Sequence, residues 1–204
     1  MSGHVAIVLA AGGSRRLGRP KQLIRRNGET LVSRALRLAR ATSPRRLLLV
    51  VGARAAEIVG LVQADDVQVV VNPRWRDGLS SSVLAARAAL AEEQDPATGC
   101  LLLACDQPAL EIDHLTALLH AAAQAPAGCA GIVHGARIGI PAVVSLAQLR
   151  QADPHGDAGL RELLNAMPPA CAGMVVAPQL CMDLDTPPDL DLAAQRGLID
   201  RASV

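Results

Sequence analysis

Hydrophobic residues form two kinds of pattern that alternate along the first half of the chain. Four short segments are continuously hydrophobic rather than alternating with polar residues, which is typical of parallel strands covered on both faces. These segments are HVAIVLA (4–10), RRLLLVVG (45–52), VQVVVN (67–72) and CLLLAC (100–105). The stretches between them are amphipathic with helical spacing, and they cover residues 30–41, 55–62 and 79–93. The alternation predicts βαβ units with right-handed crossovers, and hence an α/β fold with a Rossmann-like, doubly wound, mostly parallel sheet.

The second half of the chain has a less regular pattern. It predicts a helix over Asp113–Gln124, two short strands about a glycine-rich turn at 131–145, and a loop that enters a helix at 156–166. The segment 181–197 predicts a strand, a turn and a last helix with proline in its first turn. A length of 204 residues suits one sizeable domain, 1–204, rather than two.

Composition limits the classes of ligand that the protein is expected to bind and indicates its cellular compartment. Half of the residues are hydrophobic, but Phe and Tyr are absent and Trp75 is the only aromatic residue, so the core must be aliphatic. A net charge of +1 argues against binding to nucleic acid or a membrane surface. The five cysteines lack C-x-x-C spacing, which indicates buried, reduced thiols in a cytoplasmic protein. No apolar run approaches the ~20 residues of a membrane-spanning helix, and the first run is interpreted as a strand rather than a signal peptide.

A glycine-rich, cationic turn, LAAGGSRRLGRPKQL (9–23), follows the first predicted strand. Its glycines at 12, 13 and 18 allow backbone N–H groups to approach a ligand closely, and strand, glycine loop and helix together form a phosphate-binding arrangement. The spacing fits neither a Walker A loop, because RPK follows the last glycine, nor a G-x-G-x-x-G dinucleotide loop. The turn is therefore predicted to be a phosphate loop of another kind, with plain solvent exposure of a structural turn as the alternative.

The charges of this turn favour a polyphosphate ligand. Arg15, Arg16, Arg19 and Lys21 bring four positive charges without an acidic residue. Lys21 is the only lysine among the 20 lysine and arginine residues of the chain. Lysine is a compact, flexible point charge, whereas arginine is a planar fork. The choice of lysine here indicates contact with a phosphate whose charge changes during a reaction.

Acidic residues follow two other apolar segments. In LLLACDQPAL (101–110), Asp106 comes directly after a buried strand and before a proline turn, where the alternative is a simple turn cap. Asp183 and Asp185 lie in MDLDTPPDL (182–190) and are predicted to point to the same side of an extended segment. Carboxylates from separate strand ends suit Mg²⁺, which is commonly held by one or two carboxylates together with substrate phosphates.

The segment NPRWRDGLSSSVLAA (72–86) is the third polar element at a strand end. Asn72 and the turn at Gly78 are expected to offer amide and backbone groups to a nucleobase or ribose. The serines at 80–82 are expected to begin a helix, and for a single serine capping of that helix is the simpler interpretation.

Together these motifs resemble the MobA-like NTP-transferase family, in particular its molybdenum cofactor cytidylyltransferase branch. The opening segment is similar to the signature L-A-A-G-x-S-x-R-x-G-x-x-K-x-L. The further motifs follow in the order of that branch: NPRWRDGLSSSV, LLACDQPAL, GIPAVV, GDAGLREL and MDLDTPPDL. The likeness extends from Val5 to about Ala194.

The resemblance implies a single domain of the nucleotide-diphospho-sugar-transferase type, with a nucleotide-binding half at about 1–110 and an acceptor-binding half at about 111–204. It implies transfer of CMP from CTP, or of another nucleotide from its NTP, to a phosphorylated acceptor of the molybdopterin type, with release of pyrophosphate. Mg²⁺, or alternatively Mn²⁺, would be the cofactor, and a molybdoenzyme would receive the product. The alternatives are a guanylyltransferase or other NTP transferase with a different acceptor, a nucleotide-sugar glycosyltransferase, and a non-catalytic nucleotide-binding protein for cofactor delivery or regulation.

The resemblance also implies roles for individual residues. Catalysis is assigned to Arg16, Lys21 and Asp106. Nucleotide binding is assigned to Leu9, Ala10, Ala11, Gly12, Gly13, Lys21, Asn72, Gly78 and Ser81. The metal is assigned to Asp106 together with Asp185 or Asp183. Acceptor binding is assigned to Gly139, Pro141, Gly156, Asp157 and Arg161. Ile140 and Leu160 depart from the family pattern on the acceptor side and leave the acceptor open, whereas LAAG in place of LAGG favours cytidylyl transfer.

Overall fold

The computed structural model describes residues 3–62, 64–95, 98–135, 137–151, 165 and 171–201. The strands are β1 (His4–Ala10), β2 (Arg25–Arg26), β3 (Glu29–Thr30), β4 (Arg46–Val51), β5 (Val67–Val71), β6 (Gly99–Ala104), β7 (Cys129–His134), β8 (Arg137–Ser145) and β9 (Ala172–Val175). The α-helices are α1 (Leu31–Ala41), α2 (Ala55–Leu61), α3 (Leu79–Ala89), α4 (Ile112–Gln124), α5 (Leu146–Gln151) and α6 (Pro187–Gln195). Short 3₁₀ helices cover Lys21–Leu23, Trp75–Asp77 and Pro178–Cys181.

Seven of these strands form one sheet in the order β5-β4-β1-β6-β8-β7-β9, and β2 and β3 form a separate two-stranded ribbon. Within the large sheet, β8 pairs antiparallel with both of its neighbours, and the other pairings are parallel. The predicted mostly parallel, doubly wound α/β fold is confirmed. The chain proceeds from β1 outwards to β4 and β5 and then returns to β6 on the other side of β1. The carboxyl ends of β1 and β6 therefore flank a topological switch point, where ligands bind in open α/β sheets.

The sheet is covered on both faces, which explains the continuous hydrophobicity of β1. Its residues alternate between two cores: Ala6, Val8 and Ala10 pack with residues of α1 and α4, while Val5 and Ile7 pack with residues of α3 and α5. All seven residues of β1 are buried. A strand with water on one face would alternate polar and apolar residues. Because both faces of β1 are covered, polar residues would have no contact with water on either side.

A third, smaller core joins the glycine-rich turn to the end of the chain. Leu17 of that turn and Ile24 after it pack together with Leu184 and with Leu190 of α6. Leu184 is fully buried. This cluster fixes the segment before α6 against the turn, and it therefore places Asp185 beside the cationic residues of the turn.

The prediction of a strand at the start of 181–197 is wrong. A 3₁₀ helix ends at Cys181, and the strand of this region lies earlier, at Ala172–Val175. The segment after Cys181 is held by the buried Leu184 side chain and by one backbone hydrogen bond, from Leu184 N–H to the Asp106 carbonyl, rather than by a strand ladder. The predicted last helix is confirmed as α6, whereas the helix predicted at 156–166 falls almost wholly outside the described residues.

The other elements agree with the sequence patterns. The glycine-rich turn predicted within 131–145 joins β7 and β8 as an antiparallel hairpin. Cys100, Cys105 and Cys129 are buried free thiols as expected, but Cys181 is exposed because it ends a surface 3₁₀ helix. None of the described helices has the length and apolar character needed to cross a membrane.

Candidate active site

A pocket of about 350 Å³ opens at the carboxyl ends of β1 and β6. Leu9 and Ala104, which are register partners in these two strands, form part of its wall. The other lining residues come from the glycine-rich turn, the loop before α3 and the start of α3, the residues after β6, and the segment before α6. They are Ala11, Gly12, Gly13, Ser14, Arg15, Arg16, Lys21, Trp75, Arg76, Gly78, Leu79, Ser82, Asp106, Leu184 and Asp185. The pocket thus lies at the switch point of the sheet.

The glycine-rich turn is held in shape from inside by Gln22, a residue that the sequence analysis did not single out. The Gln22 side chain is buried, and its amide nitrogen donates to the Ala10 carbonyl at 2.9 Å and to the Gly12 carbonyl at 2.7 Å. Ser14 has a left-handed backbone, with φ of 48°, and its hydroxyl accepts from the Lys21 N–H at 3.1 Å. These bonds fold the turn back on itself and bring Lys21 under the pocket.

Lys21 lies between the two predicted metal carboxylates. Its Nζ is 2.5 Å from Asp106 Oδ2 and 3.2 Å from Asp185 Oδ1. The Lys21 and Asp106 side chains are only 17% and 16% exposed, so water screens their pairing weakly. Burial by itself would lower the pKa of Lys21, but pairing with Asp106 and Asp185 outweighs burial and raises this pKa above its ordinary value. Lys21 therefore stays positively charged in this site.

Asp185 is the second carboxylate that pairs with Lys21. Asp185 uses its second oxygen, Oδ2, to accept from Arg16 Nη2 at 2.8 Å. Asp183 lines a cavity of about 310 Å³ beside α6, and its carboxylate interacts with Gln107, the residue after Asp106. Reduced hydration, with the carboxylates of Asp106 and Asp185 nearby, raises the pKa of Asp183 to about 6. That Asp183 and Asp185 point to the same side of the segment stays a prediction, and the buried Leu184 lies between them.

Asp189 holds the backbone that presents Asp185. Its Oδ2 accepts from the Thr186 N–H at 2.7 Å, from the Thr186 hydroxyl at 2.7 Å and from the Asp185 N–H at 3.2 Å. Thr186 and Asp189 form a capping box at the start of α6. The Thr186 hydrogen bond and the neighbouring N–H groups lower the pKa of Asp189. Asp185 is thus attached to a capped helix.

Trp75 closes one side of the pocket and joins three loops. The guanidinium carbons of Arg15 and Arg76 lie 5.7 Å and 4.4 Å from the centroid of its ring, within the range of cation–π contacts. The ring also covers Gly13 and Gly52, the residues that follow β1 and β4 at a short distance. Arg15 and Arg76 add to the positive charge of the pocket, which already contains Arg16 and Lys21.

Three of the residues predicted to bind nucleotide lie behind the pocket rather than on its surface. Ala10, Asn72 and Ser81 are buried and line no part of it. The Asn72 amide donates to the hydroxyls of Ser81 and Ser82 at 2.8 Å and 3.1 Å, and its oxygen accepts from the Arg74 N–H at 2.9 Å. Asn72 thus shapes the loop that carries Trp75, and Gly78 is the cap of α3 in place of a serine.

The predicted acceptor residues lie next to Asp106 as far as the structure describes them. Gly139 and Pro141 are buried in β8. Gln107 connects this strand to Asp106, because its amide nitrogen donates to the Ile140 carbonyl at 3.2 Å and to the Leu180 carbonyl at 3.1 Å. Gly156, Asp157 and Arg161 lie outside the described residues.

The carboxylates fit a divalent cation that shares its coordination with a substrate. Asp106 and Asp185 already converge on one cation, the Lys21 ammonium. Among the described residues there is no group of three or more His, Cys, Asp or Glu side chains arranged for a metal. An ion held fully by the protein is therefore not indicated by this part of the chain, whereas Mg²⁺ or Mn²⁺ completed by phosphate oxygens and water fits the two carboxylates.

Comparison with known proteins identifies relatives in sequence and in fold. A nicotine blue oxidoreductase from Paenarthrobacter nicotinovorans is 31% identical over 198 residues, which cover 93% of this chain and 92% of that protein. The structure of Rv0371c from Mycobacterium tuberculosis in complex with manganese is 26% identical, with a TM-score of 0.69 over 96% of this chain and 97% of the other. A nucleotidyl transferase from Methanothermobacter shares the fold, with a TM-score of 0.79, 24% identity and coverage of 97% and 99%. The MobA-like NTP transferase domain matches residues 6–171, and the chain belongs to this family.

Proposed function

We propose that the protein transfers a nucleoside monophosphate, with CMP as the preferred group, from its triphosphate to a phosphorylated acceptor. The observation that carries this proposal is the position of Lys21, Asp106 and Asp185 together beside the glycine-rich turn, at the switch point of the sheet. The pocket combines backbone N–H groups, cationic side chains and two carboxylates. This is the combination that a nucleoside triphosphate with a divalent cation requires.

The reaction needs positioning and charge neutralisation rather than a protein nucleophile. An oxygen of the acceptor phosphate is already ionised, so it forms the new bond to the α-phosphorus without a general base. The bond from the α-phosphorus to the bridging oxygen breaks, and pyrophosphate leaves with the electron pair. Gly12 and Gly13 would receive the phosphates at the turn, while Arg16 and Lys21 offset the charge that develops on the pyrophosphate.

Asp106 and Asp185 are proposed to hold the divalent cation. When bound there, Mg²⁺ would neutralise phosphate charge and polarise the α-phosphoryl group. The manganese complex of the relative from Mycobacterium tuberculosis supports a divalent cation in this family without selecting Mg²⁺ over Mn²⁺.

The donor and the acceptor are proposed from the sequence. The segment Leu9–Gly12, LAAG, favours CTP over GTP as the donor, and the motif order favours a molybdopterin-type acceptor, whose product a molybdoenzyme would receive. The acceptor would enter from the side of β8, because Gln107 joins Asp106 to that strand.

The test is pyrophosphate release from each of the four common NTPs with Mg²⁺ or Mn²⁺, with and without molybdenum-loaded pterin. We expect release that depends on both the acceptor and the metal, fastest with CTP. If release is fastest with GTP, the donor is GTP rather than CTP. If release occurs only with another phosphate ester, that ester is the acceptor in place of the pterin. Binding of NTP with no release over a broad acceptor panel would instead favour a delivery or regulatory protein.

Hydride transfer is a second candidate, because the Paenarthrobacter relative is named as an oxidoreductase. A dinucleotide cofactor also carries phosphates that a glycine-rich turn can bind. The test is oxidation of NADH or NADPH by the protein in the presence of nicotine blue, followed by absorbance. Turnover there, combined with no pyrophosphate release in the first assay, would assign the protein to this class.

A further inference from the structure

We infer that the Lys21 ammonium and the divalent cation compete for the same two carboxylates, so that Lys21 must leave Asp106 and Asp185 before the cation is fully bound. This inference rests on the proposed function, which assigns these carboxylates to the cation. It adds that Lys21 weakens metal binding to the free protein and couples metal binding to the arrival of the nucleotide.

The first support is the sharing of ligand atoms. Lys21 Nζ is bonded to one oxygen of Asp106 and one of Asp185, the groups that a bridging divalent cation would use. The ammonium thus already offsets part of the negative charge of the pair and occupies the place of a cation. A second cation at this point would meet the positive charge of Lys21 at close range, where burial of both Lys21 and Asp106 limits screening.

The second support is that Lys21 has another destination within the same pocket. The turn residues Gly12 and Gly13 line this pocket together with Lys21, so phosphates bound at the turn lie within reach of a flexible four-carbon side chain. When the phosphates arrive, the ammonium can exchange carboxylate oxygens for phosphate oxygens, and the carboxylates become available to the metal. Metal and nucleotide then favour each other's binding, and the coupling is reciprocal.

Arg16 does not fulfil the same role. Its side chain is 71% exposed, and it pairs with Asp185 but not with Asp106. Its pairing is therefore screened by water and contributes little. The competition is therefore assigned to Lys21.

The experiment measures Mn²⁺ binding to the nucleotide-free protein, by electron paramagnetic resonance of the free ion. The variants are Lys21→Met, which keeps most of the unbranched side chain and removes the charge, and Lys21→Gln, which retains a hydrogen-bond donor in case the first variant folds poorly. Arg40→Met is the matched control, because it removes one positive charge from a surface pair with Asp66, outside the pocket. Circular dichroism establishes that each variant is folded.

We expect both Lys21 variants to bind Mn²⁺ more tightly than the wild type, by a factor on the order of 5 to 150, the usual size of such couplings. Arg40→Met should bind Mn²⁺ as the wild type does. Adding Asp106→Asn to Lys21→Met should abolish the gain. Equal or weaker Mn²⁺ binding in both folded Lys21 variants would overturn the inference.

The outcome separates this inference from the proposed function. Pyrophosphate release by the wild type, together with unchanged Mn²⁺ affinity in the Lys21 variants, would retain the transferase and reject the competition. Tighter Mn²⁺ binding in these variants, with no release from any NTP by the wild type, would retain the competition and reject the transferase.

Discussion

Trp75 lies directly over the backbone of Gly13. A Cβ atom placed on Gly13 would come within 2.7 Å of Cζ3 of the indole, a distance that carbon atoms do not tolerate. The ring cannot easily move away, because its own Cβ and Cγ pack against Gly52, where an added Cβ would lie 2.6 Å and 2.9 Å from them. The absence of side chains at two loops after neighbouring strands is therefore what allows the one aromatic residue of the chain to seal the pocket.

Gly13→Ala should consequently destabilise the protein, while Gly12→Ala should not. A Cβ on Gly12 meets no atom within 4 Å of its position. We expect a loss of about 1–3 kcal/mol in unfolding free energy for Gly13→Ala, as for other overpacked sites, and a change close to zero for Gly12→Ala, both measured by urea denaturation. Trp75→Leu in the Gly13→Ala background should restore part of the loss. Equal stability of the two alanine variants would show that the Trp75 contact does not constrain the turn.

Trp75 should also report nucleotide binding directly. It is the only Trp in a chain without Tyr or Phe, and it lines the pocket with two guanidinium groups near its ring. An arriving polyphosphate should draw Arg15 from the ring, so CTP with Mg²⁺ should change the emission of Trp75 in a saturable way. Arg15→Ala should reduce the amplitude of this change. Binding detected by calorimetry without any change in emission would contradict this arrangement.

The sequence was informative where a residue's role depends on its place along a strand. Continuous hydrophobicity predicted the covered parallel strands, and polar residues after the strands predicted the edge at which Lys21 and Asp106 meet. It was less informative about Asn72, whose polar side chain after a strand suggested ligand contact. The structure buries that side chain under two serines of α3, because the bend of the following loop brings α3 back over it.

Long-range packing accounts for what the sequence did not predict. Gln22 stabilises the turn through carbonyls ten and twelve residues earlier, and no local motif distinguishes it from an exposed glutamine. The position of Asp185 beside the turn depends on burial of Leu184 in the small core formed with Leu17, which lies far away in the chain. Contacts of this kind join residues far apart in the chain, so they can be identified only from the folded structure.

Lys21→Ala and Asp106→Ala should each remove most of the pyrophosphate release while the fold survives. Loss of one preorganised charge at a reacting phosphate costs ~10²–10³ in rate in comparable sites. Arg37→Ala is the matched control, since Arg37 pairs with Glu29 on the surface and does not line the pocket. Initial rates at saturating NTP give the comparison. Full activity in either of the first two variants would refute the role assigned to that residue.

Asp189→Ala should weaken both the last helix and the presentation of Asp185. The carboxylate of Asp189 caps α6 and accepts from the backbone N–H of Asp185, so we expect a loss of about 1 kcal/mol at neutral pH, typical of a capping residue. Because folding lowers the pKa of Asp189 below its ordinary value of 3.8, the contribution is complete above that pH and disappears as the pH falls through the lowered value. The difference in unfolding free energy between wild type and variant, measured by urea denaturation at several pH values, should therefore narrow below about pH 3.8. In the transferase assay the variant should also require more Mn²⁺ for half-maximal rate, because Asp185 is less firmly placed. A difference in stability that stays constant down to the lowest pH at which both proteins fold would mean that the charge of Asp189 does not cap the helix.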